Sequence, residues 1–210
     1  QSSYRENDRQ MTRVVHVIGN GDQAQLYSPA KGIKLVCNLP PFEIENVFAT
    51  CIVDFKMCKA LAEGSVNLDA FDWVCGYRPS KYCTEINQKF YLKHAHHIRK
   101  FYTVLPQYVA NYTDFNCGHL ATHYAANDLG ADEIHMYGFD SLFDSNMRSY
   151  TDLVLNSDRG AINNFRLMEN WRPVWEGIFG EFSNTQFVMH HSHSAVKFRK
   201  TDNVEVRVPR

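Results

Sequence analysis

The sequence predicts an α/β domain built on a doubly wound, mostly parallel sheet with helices on both faces and a lid region. Short β-branched and apolar runs alternate with segments whose apolar residues recur every three or four positions, the two periods that distinguish strand from helix. The β runs are largely apolar instead of alternating with polar residues, as strands covered on both faces must be. The first three end in Asn20, Asn38 and Asp54, small polar groups at the edge where a parallel sheet faces its crevice.

Taken in order, residues 1–10 are polar and without periodicity, and Met11 directly precedes the first β run, so this segment reads as a tag remnant or disordered tail. Strands are expected at 14–18, 34–37, 49–53, 73–75, 134–137 and 187–189. Crossover helices are expected at 56–62, 82–92, 119–129 and 161–179, several with apolar residues at helical spacing. The least regular stretch, 140–158, is long enough for a lid. Residues 197–210 carry Lys197, Arg199, Lys200, Arg207 and Arg210 among alternating valines, which permits an edge strand and a basic tail. One domain is expected over 11–196, with no internal repeat.

A chain of 210 residues with 44% hydrophobic and 21% charged residues can build one core without staples. A formal net charge of −1 gives no field that would gather polyanions, so no nucleic-acid partner is expected. The apolar runs are strand-sized, well below the ~20 residues of a membrane-spanning helix, and no signal pattern opens the chain. A soluble, cytoplasmic protein without a transmembrane segment is expected. The six cysteines, at 37, 51, 58, 75, 83 and 117, form no Cys-x-x-Cys pair and read as reduced core thiols, although their even number leaves disulfides formally open.

The strongest local signal is the run from Val14 to Ile18 leading into Gly19-Asn20-Gly21. Glycine permits a tight turn and close backbone approach, and a following helix N-terminus would offer N–H groups to a phosphate. Ala24 stands where the dinucleotide fingerprint has its third glycine, which disfavours NAD. Asn38 ends the second strand, and Asn20 and Asn38 together can read a base edge or hold ribose hydroxyls. Asp54 ends the third. Cys117 and Gly118 open a helix, and Gly138-Phe139-Asp140 closes a later strand with a carboxylate suited to binding a hydroxyl or moving its proton.

The order Val-Ile-Gly-Asn-Gly, Val-Cys-Asn, a polar strand end, Cys-Gly before a helix, and Gly-Ala-Asp-Glu-Ile-His-Met-Tyr-Gly-Phe-Asp resembles bacterial sialyltransferases that use CMP-sialic acid. It is similar, too, to their uncharacterised relatives, which include hydroxymethylpterin pyrophosphokinase-like proteins. The resemblance spans roughly 14–180 and implies a Rossmann-like fold and a glycosyltransferase passing a sugar, a CMP-sugar by preference, to an acceptor hydroxyl. It implies nucleotide contacts from Gly19, Asn20, Gly21, Asn38, Asp54, Cys117 and Gly118, and chemistry at Asp140. Arg148, Tyr150 and Arg159 would steady the departing phosphate. Sugar transfer of this kind needs no cofactor and no metal.

One departure stands out. The resembled transferases carry a catalytic histidine after the lid, and 156–160 contains none. Asp158 or His119 takes its place, or the reaction differs, or the chain only binds a nucleotide. The alternatives are therefore an ATP-dependent diphosphotransferase, with Mg²⁺ held by Asp54 and Asp140, and a non-catalytic nucleotide-binding module. A homo-oligomer is compatible with all three. In His94-Ala95-His96-His97, a helix would put His94 and His97 on one face where they could ligate zinc, and in His190-His191-Ser192-His193 residues two apart could share a strand face. Neither cluster has Cys or carboxylate partners at a recognised spacing, so no metal is assigned to them.

Overall fold

The computed structural model describes residues 12–143, 149–156 and 161–210, with the backbone alone for 161–168. Its strands are β1 (Val14–Ile18), β2 (Ile33–Cys37), β3 (Val47–Ile52), β4 (Trp73–Cys75), β5 (Ile98–Phe101), β6 (Glu133–Tyr137), β7 (Gln186–His190) and β8 (Val204–Arg207). All pairings are parallel, and the strands form one sheet in the order β5-β4-β3-β2-β1-β6-β7-β8. The helices are α1 (Phe55–Glu63), α2 (Tyr77–Lys81), α3 (Gln88–His94), α4 (Cys117–Asn127), α5 (Tyr150–Val154) and α6 (Ala161–Glu181). The doubly wound α/β architecture expected from the sequence is the one observed.

Strand periodicity sorts the core into two layers. Val15 and Val17 of β1, Leu35 of β2 and Met136 of β6 face Leu120 and Tyr124 of α4 and Trp175 and Phe179 of α6. The alternate residues turn the other way. Ile18, Val36 and Tyr137 meet Ala24, while Ile52 and Trp73 meet Met57 and Leu61 of α1 and Phe90 of α3. Burying a Trp or Phe side chain contributes about 1.5–3 kcal/mol, so these two layers hold the helices to the sheet.

Two local differences from the sequence expectation have physical causes. The helix expected at 82–92 is interrupted, because α2 runs into a single π turn (Tyr82–Ile86) and Asn87 leaves helical geometry to start α3 afresh. The Asn87 side chain accepts a hydrogen bond from the Phe90 N–H at 3.0 Å, the local competition for backbone groups that makes Asn a cap. β5 escapes the pattern because an edge strand with Arg99 and Lys100 in its middle is not an apolar run. At the opposite edge, β8 is the strand that the alternating valines permitted. The cysteines are free thiols, five of them buried. Among the described residues, no helix is long and apolar enough to cross a membrane.

Candidate functional site

The chain leaves β1 toward β2 on one side, and β6 later returns to its other side, so the loops leaving β1 and β6 diverge and open a crevice at the carboxyl edge. Below the crevice these loops are laced together. The Gly19 N–H donates to the Tyr137 carbonyl at 2.7 Å, and the Gly21 N–H donates to the Gly138 carbonyl at 3.0 Å. A Cβ on Gly21 would lie 2.6 Å from the Gly138 oxygen and 2.7 Å from the Asp140 Cγ, closer than side chains pack. Gly138, at φ +79°, occupies left-handed space, and a Cβ there would come within 2.9 Å of the Ala24 Cβ. The room that a third glycine would give at position 24 is supplied from across the crevice.

The loop does not open an α-helix as the sequence suggested. The five residues Asp22–Leu26 form a 3-10 turn, closed by i to i+3 bonds from Ala24 N–H to Gly21 and from Tyr27 N–H to Ala24. Among the helix N-termini at the crevice, the best capped is that of α4. Its cap is Asn116, whose side chain accepts from the His119 N–H at 2.9 Å, while the Asn116 N–H donates to His119 Nδ1 at 3.0 Å. Gly118 leaves space for the Phe139 ring, which a Cβ would meet at 2.6 Å.

A cavity of about 270 Å³ results, and it brings together Gly19, Asn20, Gly21, Asn38, Asp54, Cys117, Gly118 and Asp140. Their roles differ. The Asn20 amide donates to the carbonyls of Cys37 (2.9 Å) and Leu39 (3.0 Å) and accepts from the Thr151 hydroxyl, so it ties the β1 exit to the β2 exit and to α5. Its polar atoms therefore serve the protein, whereas the sequence suggests them for a base edge or for ribose hydroxyls. Asn38, at φ +55°, is buried, and its carbonyl accepts from Thr50 Oγ1 at 2.6 Å. Its amide donates to Cys117 Sγ at 3.3 Å, but its Oδ1 is buried and accepts no hydrogen bond. Asn38 belongs to the cavity lining, and buried acceptors in native structures are nearly all paired, whereas its Oδ1 has no partner among the described residues. Cys37, beside it, has its thiol pushed well up by its hydrogen bond with Cys117 and by burial, which keeps it protonated.

The far wall is ionic. Asp54 pairs with Arg78 at 3.3 Å, and Lys56 pairs with Asp152 at 2.6 Å. Lys56, Arg78, Thr113, Asn116, Thr151 and Asp152 line the cavity and were missed in the sequence reading. Arg78 has a usable signal in the sequence, since Gly76-Tyr77-Arg78 leaves β4 at the same sheet edge as Asn20, Asn38 and Asp54. Lys56 sits in the first turn of α1, two residues past Asp54.

His119 is corrected from candidate base to framework. It is fully buried, its Nδ1 accepts from the cap, its Nε2 donates to the Trp171 carbonyl at 3.1 Å, and burial lowers its pKa to about 3. The third residue of the α4 capping box is committed to the box. Tyr150 contributes its N–H to the Asn20 carbonyl at 3.0 Å, and its neighbours Ser149 and Thr151 line the cavity in its stead. Arg148, Asp158 and Arg159 lie outside the described residues. The second histidine cluster splits. His190 accompanies His135 with ring centroids 5.1 Å apart, and buried His191 stacks on Phe143 at 3.7 Å. Comparisons of the chain with protein-family models, with curated proteins and with solved structures return no match.

Proposed function

We propose that the protein binds a nucleotide or nucleotide-sugar in the switch-point cavity, a CMP-sugar by preference, and passes the sugar to an acceptor hydroxyl by direct displacement. The observation that carries this reading is the buried, unpartnered Asn38 Oδ1 at a cavity whose other walls offer the α4 N-terminus, Lys56 and Arg78. An amino group of a base or a ribose hydroxyl satisfies the acceptor, and a phosphate satisfies the cations and the helix dipole. Asp140 accepts the acceptor's proton, and Arg78 steadies the leaving phosphate. A volume of about 270 Å³ suits the nucleotide end of such a donor. The Mg²⁺-dependent diphosphotransferase reading is weaker, since, among the described residues, Asp54 and Asp140 join no three-ligand cluster. The binding-module reading gains from the commitment of His119 to the α4 cap.

The test is a thermal-shift series with CMP, UDP, GDP and ATP, with and without Mg²⁺, on the wild type and on Asn38→Asp. CMP is expected to raise the wild-type midpoint without Mg²⁺ and to do less for the variant. Stabilisation by ATP alone, and only with Mg²⁺, would overturn the sugar-transfer reading. No shift from any nucleotide would remove the nucleotide site. If binding holds, Asp140→Asn is expected to cost roughly 10²–10⁴-fold in turnover and little in affinity.

A further inference from the structure

Asp69, His94 and His97 come from different parts of the chain and meet on the side of the sheet away from the cavity. Asp69 lies in the loop between α1 and β4, His94 closes α3, and His97 stands directly before β5. Each offers one ligand atom, and the three atoms lie within 4.8 Å of one another. Asp69 Oδ1 is 3.8 Å from His94 Nδ1 and 3.5 Å from His97 Nε2. These separations are too long for imidazole–carboxylate hydrogen bonds, which fall near 2.7–3.0 Å. They approach the spacing set by a central ion, because ligands about 2.0–2.2 Å from a tetrahedral zinc stand roughly 3.3–3.5 Å from each other.

The donors are also held in place. The Asp69 N–H donates to Asn67 Oδ1 at 2.7 Å, and the preceding Leu68 is buried, with its carbonyl accepting from Trp73 Nε1 at 3.0 Å. The Trp73 ring lies against both imidazoles, 5.1 Å from each ring centroid, and Phe90 braces His94 at 4.6 Å. His94 is buried, His97 half-buried, and Asp69 exposed, so the cluster has a solvent side through which an ion can enter and keep a water.

We propose that Asp69 Oδ1, His94 Nδ1 and His97 Nε2 form a binding site for a borderline divalent transition-metal ion, Zn²⁺ foremost. Two imidazoles and one carboxylate select this class over Mg²⁺ and Ca²⁺, which take oxygen ligands throughout. With three protein donors, the fourth position belongs to water. The site lies at the amino ends of β4 and β5, while the crevice lies at the carboxyl ends, so the ion acts as a clamp. It joins the α1–β4 loop to the α3–β5 junction and secures β5, an edge strand whose middle residues are charged.

The experiment uses the full chain, stripped with chelator and desalted, then dialysed against micromolar ZnCl₂ with the bound metal quantified and the melting midpoint recorded. The wild type is expected to hold one Zn²⁺ per chain and to melt several degrees higher. Asp69→Asn and His97→Gln are each expected to weaken binding at least tenfold, and the neighbouring His96→Gln should leave it unchanged. Cobalt substitution of the wild type gives a readout independent of any variant, namely visible d–d bands without a thiolate charge-transfer band. Absence of bound zinc, retention of zinc by both ligand variants, or a thiolate band would each overturn the site.

Discussion

On the β1–β6 flank of the cavity the chain meets itself backbone to backbone, at distances that only glycine permits, whereas the β3–β4 flank is held by charged side chains, Asp54 to Arg78 within the flank and Lys56 to Asp152 of α5 across the crevice. A glycine-rich loop at the end of a first strand invites the reading that the glycines make way for a phosphate. Here Gly19, Gly21, Gly118 and Gly138 make way for other parts of the protein. The first flank is fixed by the fold, and the second can regroup around a ligand, because partly exposed ion pairs stabilise weakly and release their cations readily.

The sharpest way to break this comparison is Gly21→Val. Gly21 has an ordinary φ of −69°, so the cost is purely one of contact with the Gly138 carbonyl and Asp140. A loss of about 3 kcal/mol or more is expected in urea unfolding, at the upper end of overpacking effects. Stability within about 1 kcal/mol of wild type would show that the loop does no more than turn.

A smaller effect concerns the α4 cap that closes the fixed flank. Burial holds the His119 pKa near 3 in the folded protein, below its unfolded value of about 6.5. The unfolded state therefore binds more protons between those pH values, and stability is full above the unfolded value and declines as pH falls toward the folded one. A loss of roughly 2 kcal/mol between pH 7 and pH 5 is expected, measured by urea unfolding at each pH, and His119→Gln should flatten that slope. An unchanged slope in the variant would move the acid sensitivity to the other histidines whose pKa values burial lowers, the buried His16, His94 and His123 and the half-buried His190.

The smallest expected effect on stability is on the ionic flank. Arg78→Gln should change the unfolding free energy by less than about 1 kcal/mol while weakening CMP about tenfold in a binding titration. A large stability loss with unchanged affinity would reverse the roles given to the two flanks.

The parallel strands were legible because Val14–Ile18 and its neighbours are buried on both faces, which leaves a continuous apolar run in the sequence. β5 was not, because its pairing with β4 comes from position in the sheet and owes little to its own residues. At the site, strand-end rules found Asn38, Asp54 and Asp140, each at an edge fixed by local sequence. They could not tell that Asn20 spends its amide on Cys37 and Leu39, nor that Asp152 reaches Lys56, since both facts arise between distant segments. The Asp69 carboxylate escaped for a similar reason, standing 25 positions before the histidine that α3 brings to it.

The pairing of β1 with β6 joins Val14 to Glu133 and Ile18 to Tyr137, whereas β1 and β2 lie close together along the chain. On a ribosome the two flanks of the cavity thus come into being at different times. The strands from β1 to β5 can assemble first, leaving the backbone N–H and C=O groups along one edge of β1 unpaired until β6 has been made. Distant parallel pairings are slow to close, so this bare edge is where a growing chain is most open to wrong partners and to chaperones.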